Sequence, residues 1–292
     1  MRKQFVSTIE NILENDNKLV LLLGDIGVWG FNKSFQQYPD RVYNIGILEQ
    51  SMIGLAAGLA MSGYIPVVHT IAPFIVERSF EQLKLDFGYQ KLGGNFVSVG
   101  GSYDYAALGC THHCPADIGL MLNIPEMQIV IPGTRLEFDK LFNMSYANNS
   151  PTYFRLSERE NSSNQLVEFG KANIVKRGSK ATVIAVGTAL SLVLAATEDE
   201  DVTIIYYTTL RPFDAETLKS FLTEKKILLC EPYYSGALLS EIIEALPGLN
   251  LRISTVGVPK KFLRKYGSMI EHDESIGFTI KNIKEKLHQL YE

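Results

Sequence analysis

Cysteine and long apolar runs are scarce in this 292-residue sequence, and their scarcity excludes whole classes of protein. Only three cysteines occur, Cys110, Cys114 and Cys230, which are too few for a disulfide framework. No apolar run reaches the roughly 20 residues that a membrane-spanning helix needs, and the amphipathic N-terminal stretch lacks a signal-peptide core. We therefore expect a cytoplasmic globular protein that does not associate with membranes.

Positive charge is not in excess either. Lysine and arginine together number 28 against 32 aspartates and glutamates, which gives a net charge of −4. No basic block and no interleaving of basic and aromatic residues occurs. The sequence therefore offers no electrostatic basis for binding nucleic acid or an anionic membrane.

The familiar phosphate-binding loops are missing as well. The stretch GDIGVWG carries Gly24, Gly27 and Gly30, which do not match G-x-G-x-x-G, and no Walker-type loop occurs. An aspartate–asparagine pair at the spacing of a magnesium–diphosphate loop is also lacking. If this chain uses a phosphorylated cofactor, something else must hold the phosphates.

Short apolar runs alternate with helical patterns almost from end to end. Nearly continuous hydrophobic strands separated by helices favour a parallel sheet that is covered on both faces. The polar stretch Glu158–Gly170 is the predicted linker. We expect an α/β protein with two three-layer α/β/α domains built on mainly parallel sheets, residues 1–165 and 166–292.

The predicted elements follow this alternation. Predicted strands are Leu19–Leu23, Arg41–Ile45, Ile65–Thr70, Phe96–Val99, Gln128–Ile131, Thr152–Arg155, Thr182–Val186, Val202–Tyr207, Lys226–Cys230 and Leu251–Thr255. Predicted helices include Glu49–Ser62, Val76–Gln90, Arg135–Asn148, Leu190–Glu198, Ala215–Leu222, Ser235–Leu246 and Ser275–Leu290.

We expect His272, in the stretch EHDES, to be an exposed polar residue rather than a base.

The stretch Asn44–Met61, NIGILEQSMIGLAAGLAM, places a single carboxylate, Glu49, at the start of an otherwise apolar helix. Burying a charge is costly unless something neutralises or uses it. The helix N-terminus favours the anion, whereas the apolar neighbours Ile47 and Leu48 favour the neutral acid. Opposed influences of this kind make a carboxyl group that shares a proton with a ligand. The alternative is that Glu49 merely complements the helix dipole.

This stretch resembles the pyrimidine-binding domain of thiamine-diphosphate enzymes of the transketolase group. The pattern of Arg, G-I-x-E-Q and G-x-A-x-G-x-A-x-x-G-x-x-P spans Arg41 to Pro66. Similarity continues through FIVERSFEQLKLDFGYQK, CTHHCPADIGLMLNIPEMQIVIPGT and PTYFRLSERE. From about residue 172, the chain is similar to the transketolase C-terminal domain, including TTLRPFD and ILLCEPYYSGAL. The resemblance therefore covers nearly the whole chain.

The resemblance implies that Glu49 hydrogen-bonds ring nitrogen N1′ of the aminopyrimidine of thiamine diphosphate. In the family, this glutamate drives the ring toward its imino tautomer, and the imino group then removes the thiazolium proton. Phe74 is the best match for an aromatic wall against the ring, and Phe80 is a second candidate. Core packing is the alternative reading of either phenylalanine.

The resemblance also implies a set of substrate-binding residues. His112 falls on a histidine that lines the substrate channel and stabilises intermediates by hydrogen bonding. Arg78 lies where related enzymes carry a substrate-phosphate or site-lining arginine. Arg155 and Arg159 both lie close to the family arginine that meets a sugar phosphate, and the alignment does not choose between them. Ordinary ion pairing is the alternative for each arginine.

The substrate pocket departs from the family pattern. Leu108 stands where transketolases carry an aspartate that reads a substrate hydroxyl, and Cys110 replaces a proline. A leucine side chain accepts no hydrogen bond, so the usual ketose-phosphate specificity is in doubt. The neighbouring set Cys110, His112, His113, Cys114 and Asp117 fits no common zinc spacing, and we expect no metal ligands there.

A full-length enzyme of this group has an N-terminal domain that binds the diphosphate through Mg²⁺, and we expect that domain to be separate from this chain. The resemblance implies the C-terminal subunit of a split transketolase, with thiamine diphosphate bound between this chain and a separate N-terminal subunit. That partner would hold most of the Mg²⁺ ligands. A homodimer of this chain within a heterotetramer is expected by analogy. The small residues Gly54 and Gly58 suit a partner-facing helix.

The expected activity is transfer of a two-carbon ketol or acyl unit from a small, sugar-derived substrate. Two alternatives stay open. One is the beta-type subunit of an oxo-acid dehydrogenase, and the other is a non-catalytic scaffold that regulates a partner. Retention of the GILEQ motif argues against a scaffold, whereas the altered region around Leu108 keeps that alternative open.

Overall fold

The computed structural model describes residues 1–292. Its strands are β1 (Leu19–Leu23), β2 (Val42–Asn44), β3 (Ile65–Ile71), β4 (Gly94–Val99), β5 (Gln128–Val130), β6 (Pro151–Arg155), β7 (Ala172–Lys176), β8 (Thr182–Val186), β9 (Thr203–Tyr207), β10 (Thr209–Arg211), β11 (Lys226–Tyr234) and β12 (Arg252–Val258). Its helices are α1 (Arg2–Asn15), α2 (Asn32–Gln37), α3 (Glu49–Met61), α4 (Ala72–Val76), α5 (Phe80–Gln82), α6 (Asp117–Leu122), α7 (Arg135–Ser145), α8 (Leu190–Ala196), α9 (Ala215–Phe221), α10 (Leu239–Ala245), α11 (Met269–Ile276) and α12 (Ile280–Tyr291). None of these helices combines the length and apolar character that crossing a membrane requires.

The first sheet has seven strands in the order β10-β5-β6-β4-β3-β1-β2. Its strands are parallel except β10, which runs antiparallel to β5. Strand β1, which lies between β3 and the edge strand β2, is buried along its whole length. Strand β10 comes from the second half of the chain, so backbone hydrogen bonds join the two halves directly.

The second sheet has five strands in the order β12-β11-β8-β9-β7. Strands β12, β11, β8 and β9 are parallel, and β7 is an antiparallel edge strand. The prediction of two mostly parallel α/β domains is therefore confirmed. The exact division at residues 165 and 166 stays a prediction.

Both faces of the sheets are buried. Successive side chains of a strand point to opposite faces, and in β1 the residues Leu19, Leu21 and Leu23 join a core cluster of 37 buried residues. Val20 and Leu22 join a second cluster of 34 buried residues. Each cluster also contains residues of the second sheet, such as Val183 in the first and Ile184 in the second. The core is thus continuous across the two halves of the chain.

The prediction of one helix over Val76–Gln90 is wrong. Helix α4 ends at Val76, residues 77–79 form a turn, and a π-helical segment over Leu83–Tyr89 follows α5. A Cβ at Gly88 would lie 2.7 Å from Ile124, so the helix approaches its neighbour closely at this glycine. The turn matters for function because it carries Arg78.

The prediction of one helix over Ser275–Leu290 is also wrong, because the chain breaks between α11 and α12. Gly277 ends α11 in the left-handed conformation, with φ of 77°, which glycine adopts readily. The Thr279 side chain then accepts a hydrogen bond from the backbone nitrogen of Asn282 and caps α12. His272, on α11, is 3% exposed, so its predicted exposure is wrong as well.

Other differences concern short elements. Strands β7 and β10 and helix α6 were not expected from the sequence: β10 and α6 are too short to produce a clear periodic pattern, and β7 is a partly exposed edge strand without a continuous apolar run. Strand β11 continues to Tyr234, so the helix expected from Ser235 begins only at Leu239. Gly236, with φ of 84°, lies in the intervening turn.

Gly178 lets the chain pass close to the segment before β9, and replacing it tests this packing. A Cβ at Gly178 would lie 2.3 Å from the backbone nitrogen of Val202, which cannot move aside as a flexible side chain can. We expect Gly178→Ala to lower the free energy of unfolding by about 1–3 kcal/mol, measured by urea denaturation. Gly119→Ala is the control, because its Cβ meets nothing within 4 Å. Equal effects of the two substitutions would contradict this account.

Candidate functional site

Glu49 is the first residue of α3, and its side chain is buried although it carries a carboxylate. It follows β2 and the turn at Gly46, and only 1% of its surface is exposed. Oxygen Oε2 accepts a hydrogen bond of 2.6 Å from an Nη atom of Arg78. Oxygen Oε1 is buried and has no hydrogen-bond partner within the protein. A buried acceptor without a partner is costly, so this oxygen is available for a ligand.

The turn after α4 brings Arg78 to Glu49, and two further predicted residues lie in contact beyond it, Phe74 with Arg78 and His112 with Phe74. The guanidinium carbon of Arg78 lies 4.2 Å from the centre of the Phe74 ring, in cation–π geometry. The ring of His112 meets Phe74 edge-on, with 5.5 Å between the ring centres. Glu49, Arg78, Phe74 and His112 therefore form one continuous row of contacts.

The surface beside this row is apolar and open. Ile47 and Leu48, directly before Glu49, are 65% and 57% exposed. On the exposed face of α3, Leu55 is also exposed, and a Cβ at Gly58 would meet nothing within 4 Å. Large exposed apolar side chains grouped beside a buried carboxylate are typical of an interaction surface.

The other predicted residues lie in different surroundings. Phe80 begins α5, and it packs against the core cluster that contains Val20 and Leu22. Leu108 and Cys110 are both exposed on the loop that carries His112. Phe74, rather than Phe80, is thus the phenylalanine that contacts both Arg78 and His112.

Arg155 forms an ion pair, the alternative left open for it, and this pair is buried with a partner, Asp117, that was not expected. Its Nε donates to Asp117 Oδ2 at 2.6 Å, and its Nη2 donates to Ser102 Oγ at 2.7 Å. The pair is almost inaccessible to solvent, with Arg155 2% exposed and Asp117 fully buried. Nη2 also lies 3.3 Å from the carbonyl oxygen of Pro232 in β11. Arg155 therefore links the first sheet to the second.

The same ion pair anchors the loop that carries His112. Ser102 and Asp117 lie at the two ends of this loop, and both are held by Arg155. Inside the loop, Ser102 and Cys114 exchange two backbone hydrogen bonds, of 3.1 and 2.7 Å. A buried arginine needs a carboxylate partner. In the sequence, the one indication of this partner was Asp117, the acidic residue of CPADIGL.

Arg159 is also paired, although less deeply buried. It donates to Asp273 on α11, which accepts a second hydrogen bond from the Tyr103 hydroxyl. Arg159 and Arg155 line one small cavity together with Asp104. Burial raises the pKa of Asp104 to about 6, even though this carboxyl accepts hydrogen bonds from Ser157 and Glu158. In this structure, Arg155 and Arg159 form ion pairs with carboxylates of the same chain, those of Asp117 and Asp273.

Two histidines meet beside this loop. The rings of His113 and His272 are 5.4 Å apart and nearly perpendicular, and Nε2 of each is buried without a partner. Burial lowers the pKa of His113, and the neighbouring His272 adds to the effect. The sequence analysis missed this contact because it joins residues 159 positions apart in the chain.

The cysteines near His112 have different environments. Cys110 is exposed, whereas Cys114 is buried with its Sγ 3.5 Å from Glu77 Oε1. Burial raises the pKa of Cys114, and Asp117 and Glu77 raise it further. No three His, Cys, Asp or Glu side chains anywhere in the chain are grouped so that they could hold a metal ion.

The fold and this arrangement agree with the comparison to known families. The family pattern described as the transketolase pyrimidine-binding domain matches residues 1–163, and that of the transketolase C-terminal domain matches residues 170–283. The chain therefore belongs to the transketolase family, as its resemblance implied.

Individual relatives are similar over most of their length. The chain is 36% identical to an uncharacterized 33.6 kDa protein of the fasciation locus of Rhodococcoides fascians, covering 97% of this chain and 92% of the relative. It is 29% identical to one of the subunits of the apulose-4-phosphate transketolase of Actinobacillus succinogenes, covering 83% of this chain and 82% of the relative. A split-gene transketolase, solved as an inactive beta4 tetramer, has the same fold, with a TM-score of 0.87 at 23% identity over 99% of this chain and 97% of that chain.

Removing Arg155 tests the structural importance of its ion pair. Arg155→Ala leaves the Asp117 carboxylate buried without its cation, so we expect the free energy of unfolding to fall by about 3–5 kcal/mol in urea denaturation. Arg135→Ala is the control, since it removes a mainly exposed pair with Glu160 and should cost about 1 kcal/mol or less. Equal losses of unfolding free energy in the two variants would show that the buried pair stabilises the fold no more than the exposed pair does.

Proposed function

We propose that this chain is the C-terminal subunit of a thiamine-diphosphate-dependent transketolase-like enzyme. The enzyme transfers a two-carbon ketol or acyl unit, and its active site is shared with a separate N-terminal subunit. Membership of the transketolase family supports this proposal. The single observation that carries it is the buried, unpartnered Oε1 of Glu49 at the start of α3.

The free oxygen of Glu49 fits the aminopyrimidine ring of thiamine diphosphate. When bound, this cofactor supplies an electron sink for breaking and forming carbon–carbon bonds. Glu49 would share a proton between its Oε1 and a nitrogen of the bound ring. The apolar residues Ile47 and Leu48 provide a surface against which an aromatic ring can be buried.

Phe74 and His112 extend the site toward the substrate in this proposal. Phe74 provides the aromatic wall for the ring, and His112, which touches Phe74, donates or accepts a hydrogen bond at the reacting oxygen atoms. Phe80, Arg78, Arg155 and Arg159 are further candidates from the sequence. The contacts of Arg155 and Arg159 with Asp117 and Asp273 favour a supporting role for these two.

The partner subunit is part of the proposal. This chain has no phosphate loop, so the N-terminal subunit would bind the diphosphate and supply most Mg²⁺ ligands. The similarity to a protein that is named as one subunit of a transketolase supports a divided enzyme. We further propose a cytoplasmic heterotetramer in which two copies of this chain form a homodimer.

The test is to mix this chain with its N-terminal subunit and to titrate thiamine diphosphate with Mg²⁺ by calorimetry. Binding by the mixture and by neither chain alone is the expected result. Association of the two chains without cofactor binding would overturn the enzymatic proposal and leave a scaffold in its place.

Glu49→Gln separates cofactor binding from catalysis in the same mixture. The amide fills the same space but cannot take up the ring proton, so we expect turnover to fall by at least about a thousandfold. The diphosphate contacts on the partner keep cofactor binding measurable. Retained turnover in this variant would remove Glu49 from the catalytic role.

Gly58→Ala tests whether the exposed face of α3 meets another subunit. Alanine is the better helix former by up to about 1 kcal/mol, and its Cβ meets nothing within 4 Å in the single chain. We expect the isolated chain to become slightly more stable while assembly, measured by sedimentation, weakens. Unchanged assembly would show that this part of α3 is not in an interface.

A further inference from the structure

Arg78 covers a face of the Phe74 ring in the chain on its own. The ring packs against the core cluster that contains Leu19 and Leu21. The guanidinium of Arg78 lies over it at 4.2 Å, and His112 stands at its edge. An aromatic ring of a ligand stacks on a phenylalanine at a similar distance. Arg78 therefore occupies the space that a stacked ring would need.

The same guanidinium neutralises Glu49. Its Nη1 atom lies 2.6 Å from Glu49 Oε2. Arg78 is therefore the positively charged partner of this buried carboxylate within the chain. The Arg78 side chain is itself 37% exposed, so it can leave without opening the core. Oε1 faces no protein donor and stays available.

We propose that Arg78 is a positioning residue that holds the place of the cofactor ring until the ring binds. The ligand class is a planar nitrogen heterocycle that can carry a proton, such as an aminopyrimidine. The incoming ring would displace the guanidinium from Phe74, and its protonated nitrogen, bound at Oε1, would replace Arg78 as the positive partner of Glu49. This inference rests on the proposed function, because it assumes that the ring binds between Glu49 and Phe74.

The proposal predicts opposite effects of one substitution on binding and on stability. A ligand binds more weakly when only a fraction of the molecules has an open site. Arg78→Gln uncovers Phe74, so the affinity for the ring should rise about three- to tenfold. The same variant leaves Glu49 without its cation, so the unfolding midpoint of the free chain should fall. A residue with a merely structural role would weaken both.

The experiment uses the full chain, alone and mixed with its N-terminal subunit. Ring binding is measured in the mixture by calorimetry, with thiamine diphosphate and Mg²⁺ as the probe, and the unfolding midpoint is measured on the chain alone. Arg78→Lys keeps the positive charge but lacks the planar group that covers Phe74, so its affinity should lie between wild type and Arg78→Gln. Arg135→Gln, at an exposed arginine, is the matched control; it should leave the affinity unchanged and lower the unfolding midpoint less than Arg78→Gln does.

The outcomes distinguish this inference from the proposed function. Ring binding by wild type with equal or weaker binding by Arg78→Gln overturns the place-holding role, and the proposed function stands. Absence of binding in every protein and mixture overturns the proposed function and this inference with it. If Arg78→Gln fails to fold, Arg78→Lys carries the test, since its charge still pairs with Glu49, and an affinity no higher than that of wild type overturns the place-holding role.

Discussion

The buried ion pair between Arg155 and Asp117 is the interaction on which the rest of the structure depends. Arg155 ends a strand of the first sheet, Asp117 begins α6, and the Pro232 carbonyl beside them belongs to the second sheet. A pair buried this deeply holds its geometry because separating the charges leaves each without solvent or partner. Since the loop with His112 is anchored at both ends by Arg155, the position of that loop follows from the same pair.

A second buried carboxylate, Glu49, differs from Asp117 in how its two oxygens are hydrogen-bonded. The Asp117 carboxylate accepts hydrogen bonds from both Arg155 and Tyr153. Glu49 is held at one oxygen by a partly exposed arginine, and its other oxygen has no protein partner. A half-satisfied buried carboxylate is stable only where the fold enforces it, and such groups concentrate at binding sites.

The long apolar strands were predictable, because burial on both faces leaves continuous hydrophobic runs such as Leu19–Leu23. The break after α4 was not, since residues 77–79 contain no glycine or proline, whereas the break between α11 and α12 falls at a glycine, Gly277. The GILEQ motif indicated Glu49, and the structure brings Phe74, Arg78 and His112 into a row with it. The catalytic and binding roles of these four residues stay predictions.

The sequence by itself determined the α/β class, the family and the placement of Glu49 at a helix start, because these depend on local periodicity and a contiguous motif. Only the tertiary structure decided which carboxylate each arginine pairs with. Arg155 and Arg159 are equivalent in the motif, yet their carboxylates, Asp117 and Asp273, lie 38 and 114 residues away in the chain. Ion pairs between distant segments leave no local pattern, so the chain must fold before the pairing exists.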